Sequence, residues 1–473
     1  MLIQGSSIKP QDGNSRYYGY SVRPVRDNII TFNITTTDES SVEGIGITLT
    51  SGSSSINIVT DSNGNAQTVL PNGTYTLTCS THTLSISTLT VSNDATVSIN
   101  ATLIPMATVT SYIINQTNPS AAAASMIEID TPAKDNDDVN SVIHRIHSNT
   151  KLYGSTGLSN DSLQIKEISR SNKALFVDGS SVSSSYDVFM KLPEFWWKVD
   201  MLATDKYQVS FTMDAGTGAQ TGWNHWEGNT FIGCYEAYNT GNMVYSRSGV
   251  TPTADVSQAN FKTYARARGN GYQIVTYEAH CIMALLGYGW LGTTDDQSII
   301  GYGSTDYPKT TGKCNAKGIN DTAASVDGGS SASNSTSTSI NFWGLENWWG
   351  DLYEWVDNIE TTSSSGDIKI MDRAGTTVRS AKAGTTSSNC IGKMVLGQYG
   401  DMIPNEVHSD SNYTTGFASY GRVYGAAGYV ACRSCNGSGA YGGLACLDVH
   451  GGPSLARSYV GSRLLYKGSY TEI

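Results

Sequence analysis

Alternating apolar and polar positions dominate the first part of the chain. Alternation puts successive side chains on opposite faces of a strand, so each run predicts a half-buried β-strand. The runs cover residues 45–49, 75–79, 84–86 and 97–99. Asn63-Gly64 and Asn72-Gly73 lie between runs, and such pairs favour tight hairpin turns. The pattern therefore predicts a small β-sandwich over residues 27–104.

Residues 260–286 change to a helical period. Phe261, Tyr264 and Ala265 recur at helical spacing, and Gly269 ends that segment. Apolar residues then repeat every three or four positions from 274 to 285. We expect two helices here, the second of them amphipathic. Residues 105–186 show only one short helical pattern, at 142–147, and are predicted to be a linker and lead-in region.

Residues 341–357, with the sequence NFWGLENWWGDLYEWVD, concentrate more aromatic area than any other part of the chain. Each large ring can bury roughly 150–250 Å², so this aromatic segment should seed a core. We expect Trp349 and Trp355 to be buried. Carboxylates placed beside indoles must find partners, and we expect Asp351 and Glu354 to accept backbone hydrogen bonds.

The amino-acid composition and net charge argue against some classes of binding partner. The 473-residue chain has a formal net charge of −11, which argues against nucleic acid and anionic membranes as partners. No apolar run approaches the length of a membrane span, and the first residues lack the pattern of a signal peptide. Only 15% of residues are charged, while 49 are Gly and 27 are Tyr, a bias typical of β-structure with long ordered loops.

Cysteine and histidine spacings do not predict a metal site or a cofactor. Eight scattered cysteines are too few for a disulfide scaffold. Cys432 and Cys435 form a C-x-x-C pair near Cys446 and His450, but this spacing does not match a zinc pattern. His144 and His147 are three residues apart without a matched carboxylate, which favours solvent-facing histidines over a shared metal.

The stretch from Trp349 to Trp355, WGDLYEW, carries a family resemblance. It resembles the Gly-Asn-(Val/Leu)-Trp-Glu-Trp signature of the formylglycine-generating-enzyme branch of the C-type-lectin fold, with Asp351 in the place of Asn and Tyr353 in the place of Trp. That branch includes phage tail and adhesin proteins and the variable proteins of diversity-generating retroelements. Residues 188–199 and 231–238 are similar to two further strands of this group.

The N-terminal region carries two other resemblances. Residues 60–75 are similar to Cna-B-like or carboxypeptidase-regulatory modules of the immunoglobulin type. Residues 1–26 resemble the closing strand of another lectin-like domain, or form a terminal tail. The predicted fold class is therefore mainly β with α+β. An immunoglobulin-like β-sandwich at 27–104 is followed by a C-type-lectin-like domain at 187–473.

The candidate binding segment is 421–467, where Gly recurs every few residues between diverse side chains. Tyr offers large contact area at low entropy cost, and Ser, Gly and Asn offer adaptable hydrogen bonds. Residues 460–466 resemble the closing strand of lectin-fold variable proteins, in which neighbouring residues bind a surface ligand. An ordinary Gly-rich β-meander is the alternative. The predicted ligand-binding residues, expected on one exposed face, are Arg422, Tyr424, Arg433, Ser434, Asn436, Ser438, Tyr441, Asp448, His450, Ser454, Arg457 and Tyr459.

Three functions remain open from the sequence. The favoured one is a receptor-binding adhesin of a phage tail or a bacterial cell surface. Its partner would be a protein or glycan receptor on a target cell. The resemblance to tail adhesins also implies that the protein can be a homotrimer. The alternatives are a formylglycine-generating-enzyme-like oxidase and a purely structural tail protein. Cys432, Cys435 and Cys446 do not reproduce the cysteine pair of those oxidases. We therefore predict a protein that is not an enzyme and has no catalytic residues.

Overall fold

The chain divides into two compact units, Met1–Met106 and Ala107–Ile473, in a computed structural model. Among the described residues, strands account for 46% and helices for 12%, which confirms the predicted mainly-β class. The predicted terminal strand or tail at 1–26 lies outside the described residues. The structure describes residues 28–36, 41–52, 54–79, 82–92, 97–105, 109–135, 141–218, 221–304, 308–320, 322–323, 339–410, 412–424, 426–434 and 441–473.

The first unit contains two four-stranded sheets that enclose one core. Its strands are β1 (Asn28–Thr36), β2 (Gly46–Ser51), β3 (Ser54–Val59), β4 (Asn65–Leu70), β5 (Gly73–Cys79), β6 (His82–Leu84), β7 (Thr88–Val91) and β8 (Val97–Pro105). The sheet orders are β4-β1-β8-β6 and β3-β2-β5-β7. Ile30 and Phe32 from one sheet pack with Leu49 and Leu77 from the other, so alternation along each strand builds a β-sandwich.

The two Asn-Gly pairs do not form hairpin turns. β3 and β5 lie in one sheet and β4 lies in the other, so both connections cross between the sheets. Asn63 and Asn65 donate backbone N–H groups to Asp61 Oδ1, and Gly64 adopts a φ of +76°. A β-carbon at Gly64 would lie 2.2 Å from the Ile34 carbonyl oxygen, so that turn requires glycine. The prediction of hairpins was wrong because turn chemistry does not specify which sheet the next strand joins.

The second unit holds the remaining elements. Its strands are β9 (Thr110–Asn115), β10 (Ile127–Glu128), β11 (Lys151–Ser159), β12 (Ser162–Ile168), β13 (Asp187–Lys191), β14 (Phe195–Ala203), β15 (Lys206–Thr212), β16 (Asn224–Trp226), β17 (Thr230–Glu236), β18 (Tyr238–Thr240), β19 (Met243–Tyr245), β20 (Tyr272–Ile274), β21 (Thr322–Ala323), β22 (Ile340–Phe342), β23 (Leu345–Glu346), β24 (Tyr353–Thr361), β25 (Asp367–Met371), β26 (Thr377–Lys382), β27 (Asn389–Leu396), β28 (Met402–His408), β29 (Tyr420–Val423), β30 (Val430–Arg433), β31 (Leu447–Gly451), β32 (Val460–Lys467) and β33 (Tyr470–Glu472). Its helices are α1 (Val142–Ser148), α2 (Ala215–Gly218), α3 (Gln258–Arg266), α4 (Tyr277–Leu291) and α5 (Asp296–Ile300), with short 3-10 turns at Ala123–Ser125 and Asn315–Lys317.

Two large sheets organise this unit. The smaller has the order β10-β9-β15-β14-β16. The larger has 15 strands, with the main path β28-β27-β29-β31-β30-β24-β32-β17-β13-β11-β12-β33 and with β20, β25 and β26 attached to it. None of the helices described has the combination of length and apolar character needed to cross a membrane.

Residues 107–186 belong to this second unit and are not a linker. β9 pairs with β15, and β11 lies between β12 and β13, with Leu152 opposite Met190. Ile114, Leu152 and Ile165 are fully or almost fully buried. The sequence pattern of these strands is weak because β11 is packed on both faces, so its apolar and small residues run consecutively instead of alternating.

The two predicted helices in this region are α3 and α4. Ser257 caps α3 by accepting the Asn260 N–H, and Thr276 caps α4 by accepting the Ala279 N–H. Only Glu278 of α4 is not buried, so this helix is apolar all round and not amphipathic as predicted. His147 of α1 also differs from expectation, because it stacks on Trp290 at 4.1 Å between ring centroids, and burial lowers its pKa to about 3.

The aromatic segment 341–357 is the centre of this core. Trp343, Trp348, Trp349 and Trp355 are all at most 1% exposed, as predicted for Trp349 and Trp355. Asp351 accepts the backbone N–H of Lys309 at 2.9 Å, also as predicted. The large rings of this segment are therefore buried together with hydrogen-bonded polar neighbours.

Glu354 is bonded differently from the prediction, because its partners are two arginine side chains and not the backbone. Arg433 pairs with Glu354 Oε2, and Arg463 Nη2 lies 2.7 Å from Glu354 Oε1, with all three side chains fully buried. The Arg433 guanidinium also stacks on Trp348, 3.4 Å from the ring centroid. The carboxylate is paired with two guanidinium groups, and these groups also donate hydrogen bonds to backbone carbonyl oxygens. These contacts offset the free-energy cost of burying the three charges.

A second buried acidic pair lies beside this cluster. Glu236 accepts the Leu352 N–H at 3.1 Å, and its pKa is raised by burial and by the neighbouring charge of Asp351. Burial also raises the pKa of Asp351 to about 6. One proton shared between the two carboxyl groups relieves their repulsion, so protonated Glu236 donates to Asp351.

We expect Glu236→Gln to stabilise the protein increasingly as pH rises above about 4.5, the ordinary pKa of this side chain. The folded state retains a proton that the unfolded chain loses above that pH, so wild-type stability falls with rising pH. Glutamine keeps the same donor and acceptor but does not titrate. Urea unfolding of both proteins from pH 5 to 8 measures the difference. Glu227→Gln, at an exposed side chain, is the control, and a pH-independent difference for Glu236→Gln would refute the shared proton.

Candidate functional site

Five neighbouring strands near the end of the chain build one surface of the large sheet. Their order is β29-β31-β30-β24-β32, which joins segments far apart in sequence. β29 runs parallel to β31, and β30 runs antiparallel to both β31 and β24. β24 and β32 are parallel. Because pairing is in register, side chains opposite one another across these strands share a face.

One row of side chains crosses four of these strands. Arg422 lies opposite Asp448, Asp448 lies opposite Cys432, and Cys432 lies opposite Trp355. Residues two positions away on the same strands share that face. These neighbours are Tyr353, Tyr420 and His450.

The row forms the floor of an open cleft of about 390 Å³. The segment between β31 and β32 supplies another wall, with Leu455, Arg457 and Tyr459. The Trp355 indole N–H donates to the Val256 carbonyl oxygen at 3.0 Å, which fixes the ring that closes the floor. The full lining consists of Tyr353, Trp355, Tyr420, Arg422, Cys432, Asp448, His450, Gly451, Leu455, Arg457, Tyr459 and Val460.

Asp448 has an acceptor that the described residues leave unused. Its side chain is nearly buried, and Oδ1 makes no hydrogen bond within the described parts of the chain. His450 Nδ1 lies 3.1 Å from that oxygen. Burial, followed by the charge of Asp448, raises the pKa of the Tyr420 hydroxyl, which therefore stays protonated. The cleft thus presents a carboxylate beside an imidazole, phenol groups and two guanidinium groups.

Five of the twelve predicted ligand-binding residues line this cleft: Arg422, Asp448, His450, Arg457 and Tyr459. Three more lie at its margin. Tyr424 is 44% exposed with the Arg422 guanidinium 5.5 Å from its ring, and Tyr441 contacts Tyr420 with centroids 6.0 Å apart. Ser454 is exposed in the segment between β31 and β32.

Arg433 and Ser434 correct the prediction of a single exposed face. Both are fully buried. Arg433 follows Cys432 on β30, so its side chain points to the opposite face and reaches Glu354. Ser434 donates its hydroxyl to the Gly350 carbonyl oxygen at 3.3 Å. Asn436 and Ser438 lie outside the described residues.

No protein-family model matches this chain, and no curated protein matches it.

Several solved structures share local likeness with the chain. The U1 variant of Major Tropism Determinant is 12% identical over 68% of this chain and 73% of its own, with a TM-score of 0.27. The I1 variant is 13% identical over 67% and 72%, with a TM-score of 0.25. A streptococcal ancillary pilin is 12% identical over 41% and 60%, with a TM-score of 0.16. Scores this low carry no conclusion about function.

Sequence reasoning missed the aromatic part of the site. Tyr353 and Trp355 lie in the aromatic segment, which we interpreted only as core, and Tyr420 precedes the predicted segment. The alternation of side chains along a strand could have identified these residues. Tyr353 and Trp355 flank Glu354, which points into the core, so both must lie on the opposite face. Trp355 has both roles, since its ring packs into a core cluster and also lines the cleft.

Proposed function

We propose that the chain is a receptor-binding protein that holds a surface ligand of a target cell in the β29–β32 cleft. The observation that carries this proposal is the row of Arg422, Asp448, Cys432 and Trp355, which brings polar and aromatic groups from distant segments to one open concavity. Binding sites typically combine such apolar walls with a few convergent polar groups.

The cleft chemistry suits a ligand with both polar and flat apolar parts. Tyr353, Tyr420, Tyr459 and Trp355 offer ring faces and edges, which are rigid and bury large areas. Asp448 Oδ1 can accept a hydrogen bond from a ligand that enters beside His450. Arg422 and Arg457 favour carboxylate, phosphate or π-rich groups. A peptide loop or a glycan of a receptor presents these features.

The proposed location of the protein, on a virion tail or a bacterial cell surface, is based on the sequence resemblance. The WGDLYEW stretch and the closing strand Val460–Lys467 resemble lectin-fold adhesins and variable proteins, which favours a virion tail or a bacterial cell surface. In such proteins the scaffold stays fixed while exposed residues change. The buried Glu354, Arg433 and Arg463 would hold this scaffold, and the cleft residues would supply the variable chemistry.

The oxidase alternative finds no support in the cysteines that the structure describes. A reactive cysteine is a thiolate in a partly exposed, electropositive environment. Burial, with the nearby Asp448 charge, raises the pKa of the Cys432 thiol well above its ordinary value, so Cys432 stays protonated at neutral pH. Cys446 is buried and its Sγ contacts the Ser434 carbonyl oxygen at 2.6 Å.

The triple variant Arg422→Ala, Arg457→Ala, Tyr459→Ala should lose binding to target cells without losing stability. Aromatic and arginine anchors are each worth about 2 kcal/mol at a few positions, or about 30-fold in affinity. Flow cytometry of fluorescently labelled protein on a panel of bacterial strains, with a glycan array in parallel, measures binding. Circular dichroism melting should show a midpoint close to that of wild type.

The matched control is Lys382→Ala, Tyr399→Ala, which removes one exposed cation and one exposed ring that do not line the cleft. This control should bind as wild type does. Equal binding by the triple variant and wild type would overturn the proposal. Wild-type protein that binds none of the strains and no glycan would favour the structural tail protein.

A further inference from the structure

The end of the β27–β28 hairpin brings three different metal-binding side chains together. One ligand atom each from Cys390, His408 and Asp410 lies within 4.8 Å of the others. We propose that these three residues bind one zinc ion. This site is separate from the receptor cleft and does not depend on the proposed function.

The sheet itself places the first two ligands. Cys390 and His408 are directly opposite each other in the antiparallel pair β27–β28. Side chains so placed have β-carbons about 4.5–5.5 Å apart, and a shared metal fits between them. Asp410 follows His408 by two residues, in the segment that leaves β28. Two ligands therefore come from the sheet, and the third, Asp410, is held in place by the backbone N–H groups of Asn412, Thr414 and Thr415.

Two glycines allow the histidine ring to sit this close to the backbone. A β-carbon at Gly392 would lie 2.9 Å from His408 Nδ1, and one at Gly416 would lie 3.1 Å from His408 Cε1. Gly416 also has a φ of +60°, which other residues rarely adopt. Within the described residues, His408 Nδ1 is buried and has no hydrogen-bond partner. Nδ1 therefore faces the Gly392 backbone, and the other ring nitrogen, Nε2, faces Thr415 and the side of Asp410.

The donor set selects zinc over calcium or magnesium. A thiolate and an imidazole suit zinc and similar transition metals, whereas calcium and magnesium prefer oxygen ligands alone. With Cys390 and Asp410 each carrying one negative charge, a divalent cation makes the site neutral, which suits partial burial. The thiol proton leaves to solvent when the zinc–sulfur bond forms.

Thr415 lies between the three side chains of the cluster. Its hydroxyl contacts His408 Nε2 at 2.6 Å and Asp410 Oδ2 at 2.6 Å, and its carbonyl oxygen accepts from Cys390 Sγ at 3.3 Å. Zinc ligands in a tetrahedron lie about 3.3–3.8 Å apart, so binding requires the three side chains to close by roughly 1 Å. A water molecule can fill the fourth position.

Zinc would also fix one flank of the receptor cleft. The segment after Asp410 carries Tyr413, whose ring packs edge-on against Tyr441 at 4.7 Å between centroids. Tyr441 in turn contacts Tyr420, which lines the cleft. Metal bound at Cys390, His408 and Asp410 therefore restrains the segment that supports this flank.

Cobalt(II) substitution tests the site directly. The full chain, stripped of metal with a chelator, should bind one equivalent of Co²⁺ with a thiolate-to-cobalt charge-transfer band, and Zn²⁺ should displace it. Cys390→Ser should abolish the band, and Asp410→Asn should weaken Zn²⁺ binding at least about tenfold in competition with a chromophoric chelator. Far-ultraviolet circular dichroism establishes that each variant is folded.

Two further variants separate a metal site from a simple hydrogen-bonded cluster. Thr415→Val removes the central hydroxyl but no proposed ligand, so it should keep the cobalt band. Cys79→Ser, in the first unit, should keep both band and affinity. The absence of stoichiometric binding in wild type would overturn the proposal. Cobalt or zinc binding that is unchanged in Cys390→Ser would do so as well, because the metal would then lie elsewhere.

Discussion

Glu354→Gln should lower the free energy of unfolding by about 3–5 kcal/mol, the usual cost of removing one partner from a buried ion pair. The carboxylate lies between the guanidinium groups of Arg433 and Arg463, and none of the three side chains is exposed. Glutamine has nearly the same shape but leaves two buried cations without a counter-charge. Urea denaturation monitored by tryptophan fluorescence and by circular dichroism measures the change.

Glu360→Gln is the matched control, because Glu360 lies on the same strand, β24. Glu360 pairs with Lys369 at 2.6 Å, but both side chains are more than a quarter exposed. Partly exposed pairs contribute about 0–1 kcal/mol, so this variant should remain within that range. A loss of less than about 1 kcal/mol for Glu354→Gln would show that the buried cluster does not hold the C-terminal strands together.

Trp355→Ala should cost about 3–5 kcal/mol of unfolding free energy, as large aromatic-to-alanine changes in cores do. The indole is 1% exposed, packs in a cluster with residues of β30 and β32, and donates its N–H to the Val256 carbonyl oxygen. Alanine leaves a cavity under the cleft and an unpaired buried carbonyl group. Differential scanning calorimetry and urea titration measure the loss.

Tyr399→Ala provides the comparison, because that ring is 46% exposed and its removal should change stability by no more than about 0.5 kcal/mol. The Trp355 variant should also bind target cells less well, since the ring closes the floor of the cleft. A Trp355→Ala protein that melts within a degree of wild type would contradict the organising role of the aromatic segment.

Local patterns predicted the elements whose burial depends on one face or on side-chain size. Alternation identified the strands of the first unit, and helical spacing with Ser and Thr caps identified α3 and α4. Trp349 and Trp355 were predicted correctly as core residues, because rings this large are rarely left in water whatever surrounds them. Prediction from hydrophobic periodicity failed for β11 and α4. β11 is buried on both faces and α4 is buried almost all round, so neither shows a periodic pattern of apolar and polar residues.

The residues that line the cleft were predicted only in part, because exposure depends on the register of distant strands. Arg422, Asp448 and His450 line the cleft, while Arg433 and Ser434 point into the core. The four-residue strand β30 is too short to show its own alternation clearly, and its pairing with β24 decides which residues face outward. A shift of one residue would reverse that choice.

The sequence by itself determined a mainly-β chain, an aromatic core segment and a C-terminal segment rich in polar and aromatic side chains. The tertiary structure alone decided that Tyr353, Trp355 and Tyr420 join this segment at one cleft, and that Cys390 meets His408 and Asp410. The physical reason is that hydrophobic period and ring size are local properties of the chain. The cleft and the proposed metal site are instead made by strand pairing between residues far apart in sequence, which no local pattern specifies.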